Sequence, residues 1–244
     1  MTTYINPESN SVIPSKIPLT DEEASFQIIR QAVLGLWDVV NGLSTIKPPK
    51  RDRYCVTIFG SARMTKEYPF YQEVYYLASE LTKMGCDIVT GGGPGLMEAA
   101  NEGSVISDPE DMTRSIGIRV DLDFEQKTNP FVEKLYTHRT FFSRLHHFVM
   151  VSDAFVVVPG GIGTTLEALM IWQLLQVRKL HDTPLIMIGE MWSELVNWAE
   201  TFMINVEPQL ANPIDLKIPK YVDNVQDAIA LLRESQTQWK IKNP

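Results

Sequence analysis

The chain has 244 residues, 44% of them hydrophobic, enough to bury a sizeable core as one domain or two. Its formal charge of −8 argues against a nucleic-acid backbone as partner, which calls for a basic footprint, yet leaves room for an anionic small molecule in a local electropositive pocket. It holds no apolar run of about 18 residues, so no membrane span is expected, and its polar start lacks the basic and apolar segments of a secretory signal.

Residues 1–19 are polar, carry three prolines and read as a loose arm. Thr20 and Glu23 have the spacing of a capping box. The helix they open carries Phe26, Ile29, Val33, Leu36, Trp37 and Val40 at helical spacing. Ser44 to Arg53, with Pro48-Pro49, is a connector, so residues 1–53 form an N-terminal arm and helix, and residues 54–244 form the main domain.

In that domain Cys55 to Phe59 is a strand, with Gly60-Ser61-Ala62-Arg63 at its carboxyl end. A helix from Tyr68 to Met84 stops at Gly85. Asp87 to Thr90 is a second strand, ending in Gly91-Gly92-Gly93-Pro94-Gly95 before a short helix. Ser115 to Val120 is a third strand, followed by a polar loop containing Glu125. Lys134 to Thr137 is a short strand, and Thr140 to Val151 a helix containing Arg144. Ala154 to Val158 is apolar throughout, as for a strand buried on both faces. After Pro159-Gly160-Gly161-Ile162-Gly163 a helix begins at Thr164. Pro184 to Ile188 is a strand and Trp192 to Val206 a helix. Tyr221 to Asp223 reads as an edge strand, and Val222 to Glu234 as the closing helix. Strands alternating with helices specify an α/β, doubly wound, mainly parallel sheet with an extra N-terminal helix. Such sheets bind ligands beyond the carboxyl ends of their strands. Cys55 and Cys86, each in apolar company, read as structural thiols of a reducing compartment, by default the cytoplasm.

The stretch from Ala154 to Gln176 carries the chemistry. Its glycines let the backbone fold tightly, and the unpaired amides at a helix start attract phosphate. Glu167 stands four residues beyond Gly163, one turn up on the same face. Neither glycine loop fits the dinucleotide fingerprint, because Leu96 and Leu166 occupy the third glycine positions, and no P-loop lysine follows Gly163. No His or Cys pair has zinc spacing, and no nucleophile elbow is present, so no metal site and no cofactor are expected.

Gly91 to Asn101 (GGGPGLMEAAN) and Pro159 to Glu167 (PGGIGTTLE) resemble the paired motifs of the Lonely Guy (LOG) family, whose members were long labelled lysine decarboxylases. The resemblance runs from about Val56 to Ile188. It implies a Rossmann-like homo-oligomer, built on a dimer, that cleaves the N-glycosidic bond of nucleoside 5′-monophosphates, cytokinin nucleotides included. By that resemblance Gly160, Gly161, Gly163 and Thr164 hold the phosphate, and Arg144 and Glu167 are the catalytic pair. Glu125 falls where the family has a substrate-contacting acid, and Gly92, Gly93 and Ser61, from their place at strand carboxyl ends, are expected to contact substrate, the plainer readings being a tight turn for the glycines and a turn or helix cap for Ser61. The chain departs from the pattern at Leu145, where plant members carry lysine, and at Ile162, which replaces a frequent tyrosine. Glu167 has three open roles: stabilising positive charge on the sugar, orienting a ribose hydroxyl, or activating water. Arg144 either orients Glu167 or touches the substrate. The alternative function is a binding module that carries a nucleotide or nucleotide-like cofactor without cleaving it. The plainer expectations are that Glu98 and Asn101 cap or pair locally. Phe141, Phe142 and Phe148 then cluster in the core or a dimer interface, and His138 and His181 are structural.

Overall fold

The computed structural model describes residues 21–43, 52–121 and 127–243, with the side chains of 36–43 left aside. The chain divides into two compact units, Met1–Lys47 and Pro48–Pro244. The first contains helix α1 (Glu22–Leu43), opened by Asp21, whose Oδ1 accepts the Ala24 N–H at 3.0 Å. Thr20, the expected cap, lies outside the described residues.

The second unit is a seven-stranded sheet in the order β4-β3-β2-β1-β5-β6-β7. Its strands are β1 (Cys55–Phe59), β2 (Asp87–Thr90), β3 (Ser115–Val120), β4 (Lys134–His138), β5 (Ala154–Val157), β6 (Leu185–Ile188) and β7 (Pro219–Val222). Every pairing is parallel. The chain builds outward from β1 to β4, then crosses back to place β5 on the other side of β1. The order reverses there, which opens a crevice beyond the carboxyl ends of β1 and β5.

Alternate residues of β1 enter two separate cores. Val56 and Ile58 pack with α2 (Pro69–Lys83), α3 (Leu96–Ile106) and α7 (Val225–Lys242). Cys55 and Phe59 pack with Phe148 of α4 (Phe141–Val151), Ala168 and Ile171 of α5 (Ile162–Gln176), and Trp192 of α6 (Glu190–Ala199). Helices on both faces leave neither side of the sheet for solvent, which is why its central strands are unbroken apolar runs. Cys55 and Cys86 are buried and are not joined in a disulfide, and burial pushes the Cys86 thiol up to about 12. Among the described residues no helix is long and apolar enough to cross a membrane.

Several element bounds differ from the sequence reading, for tertiary reasons. Helix α5 begins at Ile162, so Gly163 and Thr164 belong to its first turn. The helix read as Trp192 to Val206 is α6 followed by a π-helical turn, Glu200–Ile204. Pro219–Val222 pairs with β6, and the Asn224 side chain then caps α7 by accepting the Asp227 N–H at 2.9 Å. That helix runs well past Glu234 because Trp239 closes on Tyr54, ring to ring at 5.7 Å, and donates to Asp153 at 3.1 Å.

Helices α2 and α3 cross at Gly103, where an added Cβ would clash with the Tyr75 carbonyl oxygen. Gly103→Ala is expected to cost about 2 kcal/mol or more, as overpacking of a backbone crossing does. Urea unfolding checks it, and an unchanged midpoint would show that the two helices can part freely.

Candidate functional site

Three loops at the carboxyl edge of the sheet are tied together by backbone. The Ser61 N–H donates to the Pro159 carbonyl at 3.0 Å, and the Ser61 carbonyl accepts the Leu96 N–H at 2.9 Å. The turn after β1 thus braces the loop after β5 against the start of α3. This closeness requires glycine at two places. A Cβ at Gly60 would meet Val158 at 2.6 Å, and one at Gly95, whose φ is +70°, would meet the Ser61 carbonyl at 2.5 Å. The Ser61 hydroxyl itself accepts the Arg63 N–H at 3.1 Å, a local turn contact.

The loop from Gly91 to Gly95 is held by a buried polar network. Thr90 Oγ1 accepts the Gly92 N–H at 2.9 Å and donates to Asn101 Oδ1 at 2.7 Å. Asn101 Nδ2 donates to Ser115 Oγ at 2.8 Å. Asn129 clamps the loop from outside: its backbone N–H donates to the Gly92 carbonyl, and its side-chain amide donates to the Gly93 carbonyl, both at 2.9 Å. That amide also reaches Asn101 Oδ1 at 3.0 Å. Asn101 therefore neither caps nor pairs locally as expected, its partners being Thr90, Ser115 and Asn129. It is fully buried, and a buried amide must spend its donors and acceptors on whatever tertiary partners surround it. Asn129 escaped the sequence reading because no periodicity or spacing marks a loop residue whose partners come from the loop after β2 and from α3.

The second glycine loop works differently. A Cβ at Gly160 would clash with the Thr164 side chain. At Gly161 and Gly163 an added Cβ would meet no protein atom within 4 Å, and Gly161 is in extended backbone open to any residue. The chain does not need glycine at those two positions to fold, contrary to the tight-turn expectation. What glycine leaves there is open space beside the first-turn amides of α5, which have no intrahelical acceptors. Thr164 is buried in that turn, and Ile162 is exposed.

Arg144 and Glu167, 23 residues apart on α4 and α5, meet at 2.8 Å between Nη1 and Oε1. Arg144 divides its guanidinium three ways. Nε donates to the Ile118 carbonyl at the end of β3 at 2.9 Å, Nη1 holds Glu167, and Nη2 faces Gly91, where a Cβ would lie 2.7 Å away. The Phe148 ring supports it at 5.0 Å. Glu167 is buried, and that burial pushes its carboxyl above the ordinary range, while the charge and hydrogen bond of Arg144 pull it back. An acid placed only to suit the helix dipole would not need a half-buried cation from another helix.

Glu125 lies outside the described residues. Leu145 is buried in the core, so the position after Arg144 offers no cation to the crevice. The expected phenylalanine cluster separates: Phe148 is buried beneath Arg144, while Phe141 and Phe142 are exposed about two turns earlier. Among the described residues no group of three or more His, Cys, Asp or Glu is placed to hold a metal ion.

A family model described as "Possible lysine decarboxylase" matches residues 97–232. The pyrimidine/purine nucleotide 5′-monophosphate nucleosidase of Escherichia coli K12 is 31% identical over 109 residues, which cover 42% of this chain and 24% of that protein. The chain thus matches only a fraction of the length of its curated relatives. Among solved structures, the molybdenum cofactor carrier protein of Chlamydomonas reinhardtii superposes with a TM-score of 0.55 at 16% identity, covering 75% of this chain and 98% of that one. The molybdenum cofactor binding protein of Rippkaea orientalis does so with a TM-score of 0.56 at 16% identity, covering 76% and 98%. These structures share the Rossmann-like α/β fold. With the family model spanning more than half of its length and both glycine motifs in place at one sheet edge, the chain belongs to the LOG-type family described as possible lysine decarboxylase.

Proposed function

We propose that the protein hydrolyses the N-glycosidic bond of nucleoside 5′-monophosphates, releasing free base and ribose 5-phosphate. The observation that carries this reading is the buried Arg144–Glu167 pair at 2.8 Å, set between two glycine walls at the switch in strand order. The named activity of the 31% identical relatives supports it. The 5′-phosphate lies on the first-turn amides of α5, in the space that Gly161 and Gly163 leave open, with Gly160 and Thr164 shaping the turn. That anchor, remote from the reacting bond, places C1′ of the ribose near Glu167. As the bond between C1′ and the base breaks, its electron pair leaves with the base and positive charge develops on the sugar. Water supplies oxygen to C1′, and a proton from that water ends on the departing base. The raised proton affinity of the buried Glu167 suits it to take that proton from water, while Arg144 fixes the direction of Oε1. The Gly92-Gly93 wall and Ser61 bound the substrate, and the family resemblance gives Glu125 as a further substrate contact.

The proposed assembly is a homo-oligomer working in the cytoplasm. Helix α5 is apolar on nearly every side, yet only part of it is buried by the sheet, which leaves Ile162, Leu166 and Leu169 exposed. Such a face suits a second copy of the chain. One observation favours a second reading, that the protein binds nucleotides without cleaving them: Leu145 withdraws into the core where a cation is expected.

A panel of nucleoside 5′-monophosphates, cytokinin nucleotides included, separates the two. Hydrolysis predicts free base and ribose 5-phosphate in equal amounts, whereas calorimetric binding with no product after long incubation establishes the carrier. Glu167→Gln is expected to lower kcat by about a hundredfold or more with folding intact, the usual scale for a lost proton-transfer group. Arg144→Met bears on stability as well. A carboxyl whose folded pKa is raised contributes stability that is complete below its unfolded value and lost as pH rises. Without Arg144 the folded carboxyl of Glu167 is pushed higher still. The deficit of the variant is therefore smallest below the ordinary value of 4.5 and widens above it. It should reach about 3 kcal/mol by roughly pH 8, as for one broken buried pair. Denaturant melts across that range check the sign, and a deficit that narrows with rising pH would sink the assignment.

A further inference from the structure

Helix α4 is fastened to the sheet by two polar pins, one helical turn apart. The first is Arg144 Nε on the Ile118 carbonyl. The second is a hydrogen bond of 2.8 Å between His138 Nε2, at the end of β4, and His147 Nδ1, three residues beyond Arg144. The pins share a footing, because Ile118 pairs with Tyr136 across β3 and β4, and the His147 ring sits edge-on to both Tyr136, at 4.5 Å, and His138, at 5.0 Å. Removing the histidine pin leaves Arg144 to hold the start of α4 with the same guanidinium that must aim at Glu167.

We propose that His138 and His147 are positioning residues for Arg144, forming a latch that keeps α4 seated with one added proton and releases it with two. In the neutral pair one proton lies between the rings, whichever ring donates. A first added proton enters an outer ring nitrogen, and the bond becomes that of a charged donor to a neutral acceptor, which is stronger. A second makes both facing nitrogens donors, so the bond cannot survive. The surroundings oppose that second charge. On β4 stand Lys134, 5.0 Å over the Tyr136 ring, and Arg139 just beyond the strand; on α4 stand Arg144 and His146. Asp121 meets His138 through its backbone N–H, and Glu167 of α5 is engaged by Arg144. His146 Nε2 is buried with no partner among the described residues, so it supplies no acceptor. Burial holds all three histidines below the ordinary value of 6.5, helped by Arg144 at His138, by His138 at His146, and by His138, His146 and Lys134 at His147. A depressed folded pKa means that the stability gained is present above that value and lost as pH falls through the folded one.

The functional half of this proposal rests on the nucleotide reading of the site, so its test has two arms on the full chain. In the first, nitrogen-detected NMR follows the imidazoles of His138 and His147 from neutral to acid pH. A shared bond predicts coupled titration in two separated steps, and in His147→Phe the His138 ring should titrate in one. Independent single steps in the wild-type protein would overturn the latch. In the second arm, nucleotide hydrolysis is compared for His147→Phe and His147→Asn, whose amide can stand where Nδ1 stood. His147→Phe should lose about tenfold in kcat/KM at neutral pH through misplacement of Arg144. His147→Asn should restore most of that and flatten the decline on the acid side. Equal activity and identical pH profiles in all three proteins would remove the positioning role. If the wild-type protein turns over no nucleotide, the hydrolytic reading fails by itself. The latch is then decided by the titration arm, together with the affinity of AMP for the same three proteins by calorimetry.

Discussion

A carboxylate with almost no exposure to water is costly unless a cation reaches it, and much of the crevice follows from how Arg144 reaches Glu167. The arginine comes from a different helix, so α4 and α5 must begin at the same edge of the sheet, and the crossing from β4 to β5 supplies this. Its guanidinium lies against Gly91, where any side chain would press on Nη2. Beneath it Phe148 provides a flat support that forms one wall of the core. Nε is spent on the Ile118 carbonyl, so the charge cannot swing away from the acid without losing a strand contact. The pair is thus a joint between β2, β3, α4 and α5 as well as a source of chemistry.

The glycines of the two motifs divide into those the chain needs and those a ligand would need. Gly60 and Gly95 permit backbone segments to touch, and through them Ser61 braces the loop after β5 against α3. Gly161 and Gly163 permit nothing of the kind, since no protein atom lies where their side chains would be. A residue type that neither packing nor backbone conformation demands, at a helix start with unpaired amides, is best understood by what else comes there. This contrast supports a phosphate at α5 more directly than the glycine count does.

Opposite that helix, the Gly92-Gly93 wall is rigid for a polar reason. Thr90, Asn101, Ser115 and Asn129 satisfy one another in the interior, and Asn129 grips the loop with both backbone and side chain. A satisfied buried network tolerates little displacement, because each broken bond leaves an unpaired group in low dielectric. The crevice therefore has one wall set by this network and another by helix amides, with the ion pair between them.

Family resemblance marked Arg144, while the sequence by itself determined the alternation of strand and helix, the parallel sheet, the two glycine loops at strand ends, and Glu167 as a residue to watch. These are local signals: apolar runs, helical spacing, and motifs short enough to read in one window. It also expected Asn101 to cap or pair locally and took Phe141, Phe142 and Phe148 as one cluster, because spacing along a helix does not reveal which turn is covered. Only the tertiary structure decided that Arg144 bonds Glu167 through one nitrogen while holding a strand with another, that Asn129 belongs to the site, and that His138 meets His147. The first two join elements with a strand or helix between them, and the third depends on how α4 turns back along β4. Which polar atoms end up buried together depends on the order of the strands, and no single stretch of chain contains that order.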